Sequence, residues 1–223
     1  MKHTEKELQM LKDEVSDMWK LVLSQLEKTK LAFIHGDIEL AREIASRERR
    51  VNAFELKIDS DCENYIALYT PVAIDLRLIL SLMKISGTLE RIGDFAESLA
   101  RHVIEENCYS LTKELKDELQ IQQIFDTVIS MLSDSFIALE SENTGLSGKI
   151  LLKDDQVDEL YCNAINVLSA YIQEKPENAL CALRTMIMIR KLERIGDHCS
   201  NLVEIIVFYI DAKVLKHLKN KDS

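Results

Sequence analysis

The sequence is poor in the residues that interrupt helices, with only two prolines and six glycines among 223 residues. A β-sandwich or β-barrel needs frequent turns, and those turns draw heavily on glycine and proline. The shortage therefore argues against both all-β architectures. It favours a small number of long helices.

The sequence also lacks an excess of basic residues, since its net charge is -10 at neutral pH. A protein that binds nucleic acid without sequence preference must neutralise backbone phosphates with lysine and arginine. We therefore expect no nucleic-acid partner. An acidic surface suits cations, or a protein with a basic surface.

Long apolar runs are missing as well. The best candidate, residues 202–210, is interrupted by Glu204 and is too short to span a bilayer. The first seven residues are mostly charged, unlike a secretory leader. The five cysteines form no CxxC pair, which is typical of reduced thiols in a cytosolic protein. A soluble, cytoplasmic protein is expected.

Apolar residues recur at helical spacing along the whole chain, and turn residues separate the periodic segments. His35-Gly36-Asp37 predicts a helix end followed by an aspartate cap, and Pro71 and Pro176 predict helix starts. Ser110 or Thr112 is the expected cap after the junction 107–112. The predicted helices cover residues 5–34, 38–69, 72–106, 113–142, 149–173 and 177–218.

An internal repeat divides these helices into two sets of three. The six residues LERIGD at 89–94 recur unchanged at 192–197, 103 residues later, and both copies lie midway along a third helix. Identity at matching places indicates duplication. We predict an all-α protein of two tandem three-helix bundles, six long helices in all, with repeats at residues 1–108 and 109–223.

The repeated segment carries a stripe of carboxylates. At about 100° per residue, Glu90, Asp94 and Glu97 fall on one side of the third helix, as Glu193, Asp197 and Glu204 do in the second copy. Apolar residues fall on the opposite sides: Ile85, Ile92, Ala96, Leu99 and Val103, and Met188, Ile195, Cys199, Leu202 and Ile206. The carboxylates are thus expected on an outer face, either as a solvated acidic surface or as a cation site.

Two unfavourable contributions to helix stability favour a cation site over a solvated surface. Carboxylates four residues apart repel each other by about 0.2–0.5 kcal/mol. A glycine inside a helix costs about 0.5–1 kcal/mol relative to alanine, and Gly93 and Gly196 each lie beside the acidic stripe. The glycines fit either tight helix packing or the close approach of a ligand.

The middle helix of each half offers further oxygen ligands. Glu48, Asn52 and Glu55 share one stripe, and Asp154 and Asp158 share another. Packed beside the third helix, these groups would complete sites for hard or borderline cations, namely Mg, Mn, Fe or Zn.

The histidines give no comparable signal. None forms the Glu-x-x-His pair of di-iron bundles, and His198 faces away from the acidic stripe on the helical wheel, which favours a packed or surface role. The GxxxxGK, GxSxG and HExxH motifs are all missing from the sequence. We predict no enzymatic activity.

Several segments together resemble the PhoU family of phosphate-uptake regulators, and the resemblance spans roughly residues 5–215. The segments are VNAFE at 51–55, PVAIDLR at 71–77, the two LERIGD blocks, and CSNLVE at 199–204. The resemblance implies two three-helix bundles packed side by side.

It also implies metal ions or multinuclear clusters held by (E/D)xxxD motifs on the bundle surface. Transferred by position, the ligands are Glu90 and Asp94, Glu193 and Asp197, Asp154 and Asp158, and Glu48 and Asn52. Two departures make the halves unequal. Asn52 supplies an amide where the pattern has aspartate, and Ser200 replaces Glu97.

The family contacts a high-affinity phosphate ABC transporter, through its ATPase subunit, and a phosphate-sensing histidine kinase. By resemblance, this chain is expected to hold the phosphate-starvation response off when phosphate is plentiful. It would meet a membrane only through those partners. The sequence leaves the oligomeric state open, with a homodimer as one expectation.

Two other functions remain open. The acidic stripes also suit a carboxylate-metal enzyme or a metal store, either of which needs a site with an open coordination position. A structural coiled coil fits less well, because the apolar periodicity is interrupted at the prolines.

Overall fold

The computed structural model describes residues 3–106 and 112–212, and no β-strand occurs in those two ranges. They form seven α-helices: α1 (His3–His35), α2 (Ile38–Tyr69), α3 (Ala73–Glu106), α4 (Lys113–Glu118), α5 (Ile121–Glu140), α6 (Ser147–Glu174) and α7 (Ala179–Asp211). Short 3₁₀ turns at Thr144–Leu146 and Pro176–Asn178 precede α6 and α7. The all-α prediction is confirmed.

The predicted turn between α1 and α2 forms as the sequence indicates. Gly36 adopts φ of 64°, and the side chain of Asp37 accepts a hydrogen bond of 3.0 Å from the backbone N–H of Leu40. Because glycine enters the left-handed region at little cost, the chain reverses here without strain. Thr112 likewise caps α4 by accepting a hydrogen bond of 3.3 Å from Leu115, while Ser110 lies outside the described residues.

The predicted helix over 113–142 is wrong in one respect, because it is broken into α4 and α5. Gln120 adopts φ of 51° between them. Leu119 and Ile121 flank it and are only 1% and 2% exposed. Two residues that are two positions apart cannot face the same side of one helix, so the break lets both reach the core.

The last predicted helix also differs at both ends. Pro176 opens the 3₁₀ turn rather than α7 itself, and α7 ends at Asp211, with Ala212 in the left-handed conformation. Residues 213–218 of the predicted span, and the lysine-rich end, lie outside the described residues.

Two three-helix units form the fold, one from α1, α2 and α3 and the other from α5, α6 and α7. Each predicted half contains one unit, and the boundary between the halves falls within residues 107–111, outside the described ranges. The units pack side by side, α1 on α5 and α3 on α7. The predicted pair of bundles is confirmed.

Burial shows that the units are copies of one another. In the first two helices of each unit, equivalent buried residues lie 106 positions apart: Val15 and Ile121, Val22 and Val128, Leu26 and Leu132, Ile44 and Ile150, Val51 and Val157, and Ile58 and Ala164. In the third helices the spacing is 103, as for Leu89 and Leu192. The second unit therefore has three fewer residues before its third helix.

Contacts between the units come in reciprocal pairs. Lys30 pairs with Asp126, and Lys20 lies 5.9 Å from the ring centroid of Phe136. Lys30 is the equivalent of Phe136, and Lys20 is the equivalent of Asp126. Two such swapped contacts indicate an approximate two-fold axis between the units.

Candidate metal centres on the third helices

The outward face of α3 is acidic, as predicted. The five apolar residues expected on its inner side are all at most 1% exposed, and so are their counterparts on α7. Asp94 and Asp197 are exposed, and Glu90 and Glu193 are half-buried. Glu97, the third member of the first stripe, is engaged in an ion pair with Arg101.

The first acidic cluster consists of Glu90 and Asp94 on α3 with Glu55 on α2. Partial burial, then the charges of Asp94 and Glu55, raise the pKa of Glu90 to about 7, while Arg91 opposes the shift. The pKa of Glu55 is also raised, by burial and by the charges of Asp59 and Asp94. The nearby carboxylates thus disfavour the charged forms of Glu90 and Glu55.

The second acidic cluster consists of Glu193 and Asp197 on α7 with Asp158 on α6. The pKa of Glu193 is raised first by burial, then by Asp197 and Asp158, and it is opposed by Arg190 and Arg194. Asp158 is exposed and lies on the facing helix. The predicted groups therefore meet here, and their repulsion is the same in kind as in the first unit.

Asp154 corrects the expectation that the carboxylates lie on the outer face, because it is only 2% exposed. A Cβ atom built on Gly196 would lie 3.2 Å from Oδ1 of Asp154. The missing side chain of the glycine thus makes room for a carboxylate between α6 and α7. Burial, with a smaller contribution from Asp154, raises the pKa of the Cys199 thiol.

Glu48 and Asn52, the predicted first-unit counterparts of Asp154 and Asp158, are half-buried. The spacing of 106 residues confirms that correspondence. Asn52 donates from Nδ2 to Oε1 of Glu48 over 3.3 Å, and its buried Oδ1 has no hydrogen-bond partner among the described residues. An orphaned amide oxygen beside a carboxylate fits the hard-oxygen chemistry of a cation ligand.

Glu55 belongs to the first acidic cluster but is not among the eight ligands transferred from the family motif. It shares the predicted stripe with Asn52, but its counterpart in the second unit is Tyr161, so the family motif did not select it. The stripe on α2 had already offered Glu55 as an oxygen ligand, and the structure adds that its charge interacts with both Glu90 and Asp94.

The glycines serve helix packing. A Cβ atom on Gly93 would lie 3.1 Å from Cγ1 of Val51, and one on Gly196 would lie 3.7 Å from Cγ1 of Val157. Val51 and Val157 are equivalent and buried. Of the two explanations left open by the sequence, the close approach of the neighbouring helix is the one that the structure shows.

His198 is packed, as its wheel position indicated. It is 8% exposed, and its ring lies 5.7 Å from that of Phe95. Burial, then the charges of Arg91 and Arg194, lower its pKa, which favours the neutral imidazole.

Across the described residues, no three His, Cys, Asp or Glu side chains are gathered closely enough to hold a metal ion. Placing three ligands on one ion therefore requires side-chain rotation in either acidic cluster. The eight predicted ligand positions stay a prediction.

None of the seven helices is long and apolar enough to cross a membrane, over the ranges that the structure covers.

Known proteins share both the sequence pattern and the helix arrangement of this chain. A sequence model of the PhoU domain matches residues 15–103 and 121–206, one stretch in each unit. The phosphate-specific transport system accessory protein PhoU homolog of Aquifex aeolicus is 35% identical over 220 residues, covering 98% of this chain and 97% of the relative. The Escherichia coli K12 accessory protein PhoU is 29% identical over 212 residues, covering 95% and 87%.

Solved structures agree. The crystal structure of PhoU from Pseudomonas aeruginosa superposes with a TM-score of 0.88 at 29% identity, covering 94% of this chain and 99% of that one. The phosphate transport system regulatory protein PhoU from Streptococcus pneumoniae gives a TM-score of 0.81 at 26% identity, covering 96% and 99%. With a domain match in each unit, relatives over nearly the whole length and the same arrangement of helices, the chain belongs to the PhoU family.

Proposed function

We propose that this protein is a cytoplasmic negative regulator of phosphate uptake and of the phosphate-starvation response. It acts as a metal-binding adaptor between a phosphate ABC transporter and a sensor histidine kinase. Its relatives are named accessory and regulatory proteins of phosphate transport, which supports a regulatory role without catalysis.

The observation that carries the metal proposal is the duplicated acidic cluster. Two third-helix carboxylates and one second-helix carboxylate lie within electrostatic reach in each unit. The pKa values of Glu90 and Glu193 are raised by burial first and by these neighbouring charges second. A divalent cation relieves that repulsion and favours the ionised form.

The first-unit ion would take Glu90 and Asp94 with Glu48, Asn52 or Glu55. The second-unit ion would take Glu193 and Asp197 with Asp154 and Asp158. Bound there, a cation supplies positive charge that orders the outward faces of α3 and α7 for docking.

Elemental analysis tests the sites directly. The protein is dialysed against Mg, Mn, Fe or Zn and compared with the double variants Glu90→Gln/Asp94→Asn and Glu193→Gln/Asp197→Asn. Each variant should lose the metal of its own unit. The exposed pair Asp13 and Asp17 on α1 has the same spacing, so Asp13→Asn/Asp17→Asn is the matched control. Equal metal content in all four proteins would contradict the assignment.

The adaptor role needs a separate test. The transporter ATPase subunit and the kinase should each be retained by immobilised protein in the presence of metal, and deletion of the gene should derepress phosphate-responsive transcription. Unchanged transcription after deletion would remove the regulatory proposal while leaving metal binding intact.

The alternative is a carboxylate-metal enzyme or a metal store. Oxidase and phosphatase assays of the metal-loaded protein distinguish it from an adaptor. Turnover that disappears in Asp94→Ala would favour the enzyme.

A further inference from the structure

A cavity of about 660 Å³ lies between the two units, where α3 crosses α7. This volume is in the range of small-molecule sites. One wall is the stripe Lys84, Thr88 and Arg91 on α3, and the facing wall includes Asn201 and Phe208 on α7. The cavity adjoins the first acidic cluster, but most of its lining belongs to neither cluster.

Residues related by the approximate two-fold axis differ between the two sides of the α3–α7 crossing, and this difference explains why the cavity is open on one side. Phe95 and His198 are equivalent residues, and their rings meet at 5.7 Å where α3 and α7 cross. On one side of that crossing, Lys191 donates from Nζ to Oγ of Ser98 over 2.6 Å. The equivalents of Lys191 and Ser98 on the other side are Thr88 and Asn201, both of which line the cavity.

Side-chain length therefore distinguishes the two sides. Thr88 is too short to make the bridge that Lys191 makes. Gly87, which also lines the cavity, occupies the place of Arg190, and a Cβ atom there would meet only Oε1 of Glu55, at 3.7 Å. The first unit thus has a threonine where the second has Lys191, and a glycine where the second has Arg190.

The lining combines charge with apolar surface. Neither Lys84 nor Arg91 lies within ion-pair distance of a carboxylate in the described part of the chain, although the charge of Arg91 interacts at longer range with Glu55 and Glu90. Nζ of Lys84 lies 5.8 Å from the ring centroid of Phe208. Met83, Ile205 and Phe208 supply the apolar wall.

Carboxylates restrict the charge that fits. Glu55 and Glu90 line the cavity, and their charges interact with that of Asp94. Glu204 lines the cavity on the side of α7. An anion with several charges would be repelled by them, whereas a single acid group can lie between Lys84 and Arg91, which are two helical turns apart on one face.

We infer that this inter-unit cavity binds a small organic monoanion. Its acid group pairs with Lys84 and Arg91, Thr88 and Asn201 supply hydrogen bonds, and its apolar part packs on Met83, Ile205 and Phe208. The site depends on neither metal nor protein partner. It would connect a small molecule to the contact between the two units, a role beyond the proposed adaptor function.

Fluorescent probes of opposite charge test the inference on chelator-treated full-length protein. The probes are 8-anilinonaphthalene-1-sulfonate, an apolar monoanion, and auramine O, an apolar cation. The sulfonate should bind at one site per chain and more tightly than auramine O. Tighter binding of auramine O would overturn the proposed charge class, and no saturable sulfonate binding would overturn the site.

The deciding variant is Thr88→Lys. It gives the first unit the lysine that the second unit has at Lys191, where the side chain bridges to Ser98. Its lysine should reach Asn201 and narrow the cavity. Thr88→Met adds a side chain of similar length without a charge, and it should weaken sulfonate binding by about 10-fold or more, with no loss of helicity or of melting temperature. Sulfonate binding equal to that of the wild type in both variants would show that the probe lies elsewhere on the surface and would overturn the inference.

Charge variants keep the test decisive if Thr88→Lys does not fold. Lys84→Gln and Arg91→Gln should each weaken sulfonate binding about 10-fold, since each removes a charged hydrogen-bond donor. Arg194→Gln is the matched control, because Arg194 is the equivalent of Arg91 but does not line the cavity. Equal weakening by the Arg91 and Arg194 changes would refute the site.

Discussion

The two acidic clusters lie at equivalent places on α3 and α7, yet the second helices supply different groups to them. The first unit provides Glu55 and an amide at Asn52, whereas the second provides Asp158 at the place of Asn52 and buries Asp154. The third-helix motif is thus unchanged after duplication while its surroundings diverged. The paired third-helix carboxylates are therefore common to both clusters, whereas the residues that the second helices supply differ.

The largest expected effect concerns the equivalent aromatic residues of the first helices, Trp19 and Phe125. Both are fully buried, and Trp19 also donates from Nε1 to the backbone oxygen of Leu132 over 3.2 Å. Trp19→Ala should lower the free energy of unfolding by about 3–5 kcal/mol, because it leaves a large cavity at the contact between the units. Urea unfolding measures the change. It is followed by circular dichroism, because Trp19 is the only tryptophan and its replacement removes the tryptophan fluorescence signal.

Trp19→Phe is the control, because it gives the first unit the residue of the second. It should cost only about 1 kcal/mol, through the lost hydrogen bond and a smaller ring. If both changes cost the same, the packing assigned to Trp19 would be wrong.

A smaller effect is expected at the equivalent glycines. Gly93→Ala places a methyl group 3.1 Å from the buried Cγ1 of Val51. The crowding costs about 1–3 kcal/mol, and the better helix propensity of alanine offsets about 0.5–1 kcal/mol of it. A net loss in unfolding free energy is expected, measured by urea titration.

Gly87→Ala isolates the propensity term, because Gly87 lies inside α3 and a Cβ atom there would meet only Oε1 of Glu55, at an ordinary contact distance of 3.7 Å. Stabilisation by both alanines would mean that α2 and α3 are not in close contact at Gly93.

Next in size is the pH dependence of the acidic clusters. The pKa of Glu90 is raised from 4.5 to about 7, so the folded protein holds its proton more tightly than the unfolded chain. The contribution of this group is fully present below pH 4.5 and is lost as the pH rises through 7. Glu90→Gln should therefore stabilise the metal-free protein by about 1 kcal/mol at pH 8, after allowance for solvent screening, and hardly at pH 4.

Thermal unfolding in chelator at the two pH values measures this difference. Glu193→Gln should act in the same direction, because the pKa of Glu193 is also raised. A stabilisation that is the same at both pH values would rule out proton release from Glu90 as its cause.

The smallest effect tests the stripe position at which the units differ. Glu97 pairs with Arg101 one turn along α3, whereas Ser200 occupies its place on α7. Glu97→Ser should cost about 0.2–0.5 kcal/mol, and the cost should shrink in high salt. In an Arg101→Gln background the same change should cost almost nothing, and an unchanged cost there would disprove the pairing.

The helices and their grouping followed from the sequence because local signals dominate them. Gly36 and Asp37 form the expected turn, and the repeated LERIGD blocks lie at the same depth of two equivalent bundles. The break at Gln120 could not be foreseen, because it is driven by the burial of Leu119 and Ile121 and not by a turn residue.

The candidate site was predictable only where one helix carries it. The outward direction of Glu90 and Asp94 follows from the apolar stripe of α3. Asp154 lies inside because of a glycine on a different helix, and Glu55 matters because α2 brings it near Asp94. Such contacts depend on how helices pack, which the spacing along one helix does not specify.

The meeting of Phe95 with His198 also bears on the origin of the fold. Contact between equivalent positions across a two-fold axis is the geometry of a self-complementary dimer. An ancestor of half this length would have paired with a second copy through its third helix, and every substitution would then have appeared on both sides. Once both copies are in one chain, each side can vary independently of the other. The two sides of the crossing now differ in this way, since one carries the bridge from Lys191 to Ser98 and the other borders the cavity at Thr88 and Asn201.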